Sequence, residues 1–402
     1  MQVLPRKTIH DVDVSGQTVL VRVDFNVPLD DGRVADDTRI RASLPTLNYL
    51  RERGCRLILM THLGRPKGQA KEELRLDPVA RRLEELTGWP VVKVDQVVGP
   101  QVAEAVAQLP PGGILLLENL RFDPREEEGS PELAQELAAL GSLYVNDAFG
   151  TAHRAHASTA VVARFLPAVA GLLMARELEV LDRLLSDPQR PFWAIIGGAK
   201  VGDKLGVLQA LVQVCDGIAV GGGMANTFLA AQGGSMGDSL VEADRLEEAR
   251  AIMAAAAQRG CRFLLPTDLV AASAFAPDAD KQVCPAGEVP DGWQALDVGP
   301  ETVAAFGEAL AEAKTVFWNG PLGVFEWPAF AEGTVAVART LAHLEDAVVV
   351  VGGGDSAAAV VQAGVADAID HISTGGGATL EYIEGRSLPG VEVLAVKEAG
   401  EG

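Results

Sequence analysis

The sequence predicts an α/β protein made of two doubly wound parallel-sheet domains joined by a connecting helix, and three observations predict it. Short, almost wholly apolar runs alternate with longer segments whose apolar residues recur at helical spacing, the pattern of parallel strands covered on both faces. The chain has 402 residues, 48% of them hydrophobic, more than one core usually organises. Near the middle, Ala175–Ser186 places Leu178, Leu181, Leu184 and Leu185 on one helical face and runs into Asp187-Pro-Gln-Arg-Pro191, a stiff stop. The expected organisation is an N-terminal domain over 1–172, a connector over 173–191, a C-terminal domain over 192–388 and a tail over 389–402.

In the first half the strand candidates are Val19–Val23, Leu57–Met60, Ile114–Leu117 and Leu143–Val145. Helix candidates fall between and around them at Arg39–Arg53, Pro78–Leu86, Val102–Gln108 and Pro131–Leu140. Polar residues gather just after the strands: Asp24 and Asn26, His62 and Arg65, Glu118, Asn119 and Arg121, Asn146 and Asp147. Open α/β sheets bind ligands beyond the carboxyl ends of their strands, so these residues are expected to share one rim.

The second half repeats the alternation. Its runs are Trp193–Ile196, Ile218–Val220 into Gly221-Gly-Gly223, Phe263–Leu265 into Asp268, Val316–Trp318 into Asn319-Gly-Pro321 and Ala347–Val351 into Gly352-Gly-Gly-Asp355. A last turn is Ser373-Thr-Gly-Gly-Gly377. Phe192-Trp-Ala-Ile-Ile-Gly-Gly-Ala-Lys-Val-Gly-Asp-Lys204 delivers a buried strand to a helix start, where glycines admit a ligand to the backbone N–H groups and the helix dipole favours negative charge. Lys200 and Lys204 add two positive charges at that mouth. One half is equipped for nucleotide phosphates, the other for a small anion.

Charge narrows the function classes. The net charge is −21, and it is unevenly placed: residues 1–172 hold 20 Lys and Arg against 23 Asp and Glu, residues 173–402 hold 14 against 32. An acidic second half argues against non-specific nucleic-acid binding, while the Arg-rich first half suits bidentate recognition of carboxylate or phosphate. Cys55, Cys215, Cys261 and Cys284 show no metal-finger or C-x-x-C spacing and read as reduced thiols of a cytoplasmic protein. No signal-type segment or bilayer-length apolar stretch is present in the sequence.

Three short matches point elsewhere. Gly352-Gly-Gly354-Asp-Ser-Ala357 fits the dinucleotide pattern, with Asp370 following, and keeps an NAD-dependent oxidoreductase as an alternative. Gly233-Gly-Ser235-Met-Gly237 fits the nucleophile-elbow string but follows the helix-like run Ala225–Ala231, so it is read as a loop. His153 and His156 lack the partners of a metal site. No Walker A string occurs, which excludes a P-loop kinase.

The chain resembles the phosphoglycerate kinase family along nearly its whole length. The resemblance rests on Val21-Arg-Val-Asp-Phe-Asn-Val-Pro28, His62-Leu-Gly-Arg-Pro66, Glu118-Asn-Leu-Arg-Phe122, Val145-Asn-Asp-Ala-Phe-Gly-Thr-Ala-His-Arg-Ala-His-Ala-Ser158 and Gly197-Gly-Ala-Lys-Val-Gly-Asp-Lys204. It continues through Gly221-Gly-Gly-Met-Ala225, Trp318-Asn-Gly-Pro-Leu-Gly-Val-Phe-Glu326, Gly352-Gly-Gly-Asp-Ser356 and Ser373-Thr-Gly-Gly-Gly-Ala378. It implies Rossmann-like domains, Mg2+-dependent phosphoryl transfer between ATP and 3-phosphoglycerate, giving ADP and 1,3-bisphosphoglycerate, closure of the domains about the connector, a tail folding back on the N-terminal domain, and a monomer. A catalytically idle nucleotide-binding scaffold is the remaining alternative.

By the same resemblance, Asp24, Asn26, Arg39, His62, Arg65, Arg121 and Arg154 would hold phosphoglycerate, with Arg22 and His156 in the same basic patch. Arg39 and Lys200 would meet the transferring group. Lys204 would grip nucleotide phosphates and Asp355 would bind the metal. Gly198, Ala199, Gly222, Gly223, Pro321 and Val324 would line the adenosine pocket, with Glu326 on the ribose and Asn319 near the phosphates. Gly352, Gly353, Gly354, Ser356, Ser373, Thr374, Gly375 and Gly376 would complete the nucleotide site, Gly353 and Gly376 close to the transfer itself. A carboxylate acceptor is already ionised at neutral pH, so this chemistry needs no general base.

Overall fold

The structure, a computed structural model, describes residues 5–397, and these divide into two compact units. One holds the described residues up to Glu179 and those from Ser387 onward, and the other runs Val180–Arg386.

In the first unit β1 (Thr18–Arg22), β2 (Arg56–Met60), β3 (Val91–Lys93), β4 (Ile114–Leu116), β5 (Leu143–Asn146) and β6 (Ala168–Ala170) form one sheet in the order β3-β4-β2-β1-β5-β6, parallel throughout. Both faces are covered. Val19, Val21, Leu57, Leu59, Leu116 and Val145 meet Ile40, Leu47 and Leu50 of α1 (Thr38–Glu52) and Leu83 of α2 (Asp77–Thr87), while Leu20, Ile58, Leu115 and Tyr144 are buried on the opposite face. Each such side chain contributes roughly 1.5–3 kcal/mol by leaving water, which is why these strands carry no alternating pattern. The half-buried edge strand β3 and the small-residue strand β6 have no long apolar run, so periodicity did not reveal them.

α3 (Pro100–Gln108) and α4 (Pro131–Ala138) complete the crossovers of this unit. The segment after Ser387 packs here: Gly390 N–H donates to Ala152 O at 2.8 Å, Asn146 Nδ2 donates to Gly390 O at 3.0 Å and Lys7 N–H donates to Ala395 O at 2.7 Å. The expected tail's residues 398–402 lie outside the described residues.

Helix α5 (Leu172–Ser186) leaves the first sheet and carries the chain across the division between the units. Its start is held by Asp147, just past β5, whose Oδ1 accepts from the N–H groups of Leu173 (2.9 Å) and Met174 (3.3 Å). Asp147 is fully buried.

In the second unit β7 (Phe192–Ile196), β8 (Gly217–Val220), β9 (Arg262–Leu264), β13 (Thr315–Asn319), β14 (Val348–Gly352) and β15 (His371–Ile372) form a parallel sheet in the order β9-β8-β7-β13-β14-β15. Trp193, Ile195, Val316, Trp318, Val349 and Val351 pack on Phe306 and Leu310 of α9 (Pro300–Leu310) and Val337 and Leu341 of α10 (Glu332–Ala342). α6 (Leu205–Val214), α7 (Gly223–Ala231), α8 (Leu246–Arg259), α11 (Gly354–Gln362) and α12 (Gly377–Ile383) supply the remaining helices.

Two expectations are corrected here. The run Phe263–Leu265 does not carry Asp268 to the sheet rim: Pro266 breaks it, and Asp268 opens β10 (Asp268–Ala272) in a separate antiparallel sheet with β11 (Lys281–Pro285) and β12 (Gln294–Val298). There its buried carboxylate accepts from the N–H groups of Glu301 and Thr302 at the start of α9. The Gly233–Gly237 string is not wholly loop, because Ser235–Met236 is a short strand paired with Glu288–Val289.

Burial pushes the Asp147 carboxyl up to about 7, against the opposing pull of the Thr46 hydroxyl and the two helix N–H groups. A folded-state value above the unfolded one means that the folded chain holds the extra proton, so stability falls as pH rises from about 4 to about 7. Thermal denaturation across that window is expected to show the fall. Asp147→Asn, which keeps the accepting oxygen, is expected to flatten part of it; Asp297, raised to about 7 by burial, contributes another part, and burial raises Glu126 and Asp182 as well.

Candidate functional site

The first rim forms where the sheet changes direction. From β1 the chain turns to β2 on one side, whereas β5 leads to β6 on the other, and the crevice between β1 and β5 is where such sheets accept ligands. Arg22 ends β1 and is only 1% exposed. Its Nε donates to Ser158 Oγ at 2.9 Å, Nη1 to Val23 O at 2.5 Å, and Nη2 lies 3.3 Å from His62 Nδ1. His62 follows β2 and is buried. Arg39, near the start of α1, pairs with the buried Asp24 and stays one-third exposed. Asn26 Oδ1 accepts from Gly64 N–H at 2.9 Å, and Arg121 Nη1 donates to Gly64 O at 2.9 Å, so both hold the turn that carries Arg65. Arg65 and Arg154 are exposed and His156 is buried.

Asp24 pairs with Arg39 and Glu127 lies 3.3 Å from Arg121, and arginines still outnumber these acids at the rim. Burial, then Arg22, Arg121 and Arg39, hold His62 well below the usual histidine range. Burial, then Arg121, Arg22 and Arg154, push His156 down to about 4. Both imidazoles are therefore neutral at pH 7. An anion bound among these guanidiniums would offset the share of that lowering which the arginines supply.

The supporting residues were less legible. Asn119, named only as a rim residue, accepts on Oδ1 from Leu63 N–H and Arg121 N–H and donates from Nδ2 to Leu63 O and Leu74 O, so it ties the His62 loop to the Arg121 loop. Glu126 has no sequence signature at all, standing in an acidic run, yet it is fully buried and bonds Ser158. Asp77, Asp95 and Glu118 cluster as metal ligands might be expected to, but Lys93 Nζ contacts them at 3.1, 2.6 and 2.7 Å, and the lysine takes the place of a cation.

The second unit presents a rim of backbone. Its strands run in the order 3-2-1-4-5-6, with the reversal between β7 and β13. The turns after these two strands are in such close contact that a Cβ on Gly197 would sit 2.1 Å from Pro321 O, which is why glycine stands there. Lys204 Nζ bridges them, donating to Gly197 O at 2.6 Å and Asn319 O at 3.1 Å. Asn319 Nδ2 donates to Gly352 O at 2.6 Å, and Gly320 N–H donates to Ser356 Oγ at 2.6 Å, linking β13 to the start of α11.

Helices α7, α11 and α12 begin at glycines of positive φ, Gly222, Gly353 and Gly376, and none has a side-chain cap. Beside Gly354 and Gly376 a Cβ would meet nothing within 4 Å, so a ligand has room at the backbone. Ala199, Lys200, Glu326 and Asp355 are exposed, while Gly198, Gly223, Pro321, Val324 and Thr374 are partly buried. Two expected nucleotide contacts turn inward instead. Ser356 is fully buried on Gly320, and Ser373 Oγ lies 2.7 Å from Thr379 Oγ1 and accepts from Gly375 N–H, because these short hydroxyls are consumed in fixing the turns. The Gly352–Ala357 string follows the fifth strand of its sheet, not the first, and so lacks the setting of a dinucleotide fingerprint.

The family model described as "Phosphoglycerate kinase" matches residues 9–386. The chain is 59% identical over 394 residues to a Moorella thermoacetica protein named phosphoglycerate kinase, covering 98% of this chain and 100% of that one. It is 58% identical over 393 residues to the protein of the same name from Roseiflexus castenholzii, covering 97% and 99%. The solved phosphoglycerate kinase of Coxiella burnetii superposes with a TM-score of 0.86 at 39% identity over 97% of this chain and 98% of that one. That of Pyrococcus horikoshii superposes with a TM-score of 0.85 at 32% identity over 96% and 98%.

Burial lowers Lys204 to about 8, against the raising influence of Asp355 and Asp203. The free protein's kcat/KM for ATP is therefore expected to decline as pH passes about 8 and the ammonium is lost. A pH–rate profile checks this, and Lys204→Met should abolish that limb. Separately, Gly376→Ala, at φ +54 with open space around it, is expected to reduce activity through backbone strain of roughly 1–2 kcal/mol, read as a lower melting temperature together with a lower kcat.

Proposed function

The chain belongs to the phosphoglycerate kinase family, which transfers a phosphoryl group between ATP and 3-phosphoglycerate in glycolysis, and we propose how its residues divide that work. Residues 1–172 form the phosphoglycerate-binding domain and 192–388 the nucleotide-binding domain, with 173–191 as connector. Arg22, Asp24, Asn26, Arg39, His62, Arg65, Arg121, Arg154 and His156 hold 3-phosphoglycerate. The single observation that carries this reading is the set of five arginines at one rim, Arg22, Arg39, Arg65, Arg121 and Arg154, which outnumber the acids paired with them, Asp24 and Glu127.

An oxygen of the substrate carboxylate attacks the γ-phosphorus, the bond from that phosphorus to the β–γ bridging oxygen breaks, and ADP leaves with the electron pair. No proton moves. Catalysis then consists of alignment and neutralisation of charge. Arg39 from one unit and Lys200 from the other supply charge to the group in flight, and the N–H groups at Gly353 and Gly376 receive its oxygens. Lys204 exchanges its two carbonyls for nucleotide phosphates, while the glycine turns, Pro321, Val324 and Glu326 seat the nucleoside. Since the two substrates bind on separate units, transfer requires closure about α5, which also excludes water from an acyl phosphate.

The donor set suits Mg2+, because the exposed carboxylate of Asp355 stands in the first turn of α11 and Mg2+ takes one or two carboxylates together with phosphate oxygens. Bound there, the ion would neutralise nucleotide charge. Among the described residues no helix is long and apolar enough to cross a membrane. We read the protein as a cytoplasmic monomer that acts on small molecules and has no nucleic-acid or membrane partner.

The test is ATP- and Mg2+-dependent conversion of 3-phosphoglycerate to an acyl phosphate, followed by coupled reduction with NADH. Turnover should need every component. Lys200→Ala is expected to lower kcat by about a hundredfold or more with ATP binding retained, and Arg39→Ala to lower kcat and raise the KM for 3-phosphoglycerate. Full activity in both variants would refute the assignment.

A further inference from the structure

We propose that Glu126 and Ser158 are positioning residues that set the proton on His62 through Arg22. The inference rests on the reading of the first rim as the 3-phosphoglycerate site. Glu126 lies in the single turn Pro124–Glu127 and is wholly buried. Its Oε1 accepts from Ser158 Oγ at 2.6 Å and its Oε2 from Ser158 N–H at 3.0 Å, while its own carbonyl accepts from Ala157 N–H at 3.0 Å. Tyr144 Oη donates to Ser158 O at 2.8 Å from the other side. Ser158 therefore has one orientation available. With its hydroxyl proton on Glu126, its lone pairs face Arg22 Nε at 2.9 Å.

The consequence passes to His62. A guanidinium has five N–H donors and no acceptor, and it keeps its charge at any working pH. The nitrogen that Arg22 Nη2 faces, His62 Nδ1 at 3.3 Å, must then carry the lone pair. The ring is neutral among Arg22, Arg121, Arg39 and His156, so its one proton resides on Nε2. His62 is thereby a donor at Nε2, the form that recognises an anionic oxygen; the other tautomer would present a lone pair to it. A mobile Arg22 would release this constraint.

Glu126 itself is pulled in two directions, burial raising its carboxyl and Arg22, the Ser158 bonds and Arg121 lowering it. Two of those opposing groups are the arginines that the rim needs in place. Two buried arginines and one buried carboxylate are thus interdependent: truncating the acid leaves Arg22 without its anchored acceptor.

The experiment is 15N NMR of the full-length, unliganded protein with labelled histidine, paired with steady-state kinetics of Ser158→Ala and Glu126→Gln. In the wild type, His62 should show an unprotonated Nδ1 and a protonated Nε2. Ser158→Ala should give averaged tautomer signals and raise the KM for 3-phosphoglycerate about tenfold, the scale of one charge-assisted hydrogen bond. The KM for ATP should be unchanged. Glu126→Gln should act in the same direction; if it fails to fold by thermal melt, Ser158→Ala and the wild-type spectrum decide. A wild-type His62 protonated at Nδ1 would overturn the proposal, as would a folded Ser158→Ala protein that keeps both the tautomer and the KM. Addition of 3-phosphoglycerate to the wild type tests the premise separately: His62 signals that stay unmoved at saturation would sink the rim assignment itself.

Discussion

A guanidinium cannot give up its proton, and the first unit buries one at the centre of its sheet rim. Arg22, 1% exposed, obliges its surroundings to be acceptors: Val23 O, Ser158 Oγ and a ring nitrogen of His62 all meet it. Leaving such a charge unpaired would cost several kcal/mol, so the fold brings Ser158 and Glu126 to it from 136 residues away along the chain in the case of Ser158. The parallel register makes this possible, because it lines up every strand end on one edge. The same constraint that satisfies Arg22 orders the histidine beside it.

The second unit builds its rim by the opposite route. Its rim is made of peptide groups, with glycine at the starts of α7, α11 and α12, which leaves their first N–H groups uncapped by side chains. The tight approach of the β7 and β13 turns leaves two carbonyls facing inward, and Lys204 resides on them. A lysine held this way is partly desolvated and loosely charged, hence its value of about 8. The first rim offers side-chain charge, the second backbone dipoles.

Buried acids appear where elements must be joined. Asp147 holds the start of α5, Asp268 that of α9, and Asp297 accepts from Gly333 N–H in the first turn of α10. Each satisfies helix N–H groups that would otherwise be orphaned in the interior. For Asp147 and Asp297 the consequence is pH dependence, since a carboxylate without a counter-charge in low dielectric favours its protonated form.

Most of the fold was legible in the sequence, and so were the residues placed at the two rims. The long apolar runs Val19–Val23, Leu57–Met60 and Val316–Trp318 could only be covered strands, and motifs as long as Val145–Ser158 fix family and chemistry because their residues are contiguous. What the sequence could not reveal depends on partners distant in the chain. β3 and β10 are strands through pairing that no local pattern announces. Asp268, Ser356 and Ser373 resemble rim residues in sequence yet face inward, since a short polar side chain beside a tight turn finds backbone partners before it finds a ligand. Glu126 is one acid among several until folding removes water from it. By itself the sequence determined the alternation of strands and helices, the glycine turns and the charge available to each half. Tertiary structure alone decided which of those charges are buried together, because the energy of a charge depends on dielectric and distance, and neither is a property of sequence neighbours.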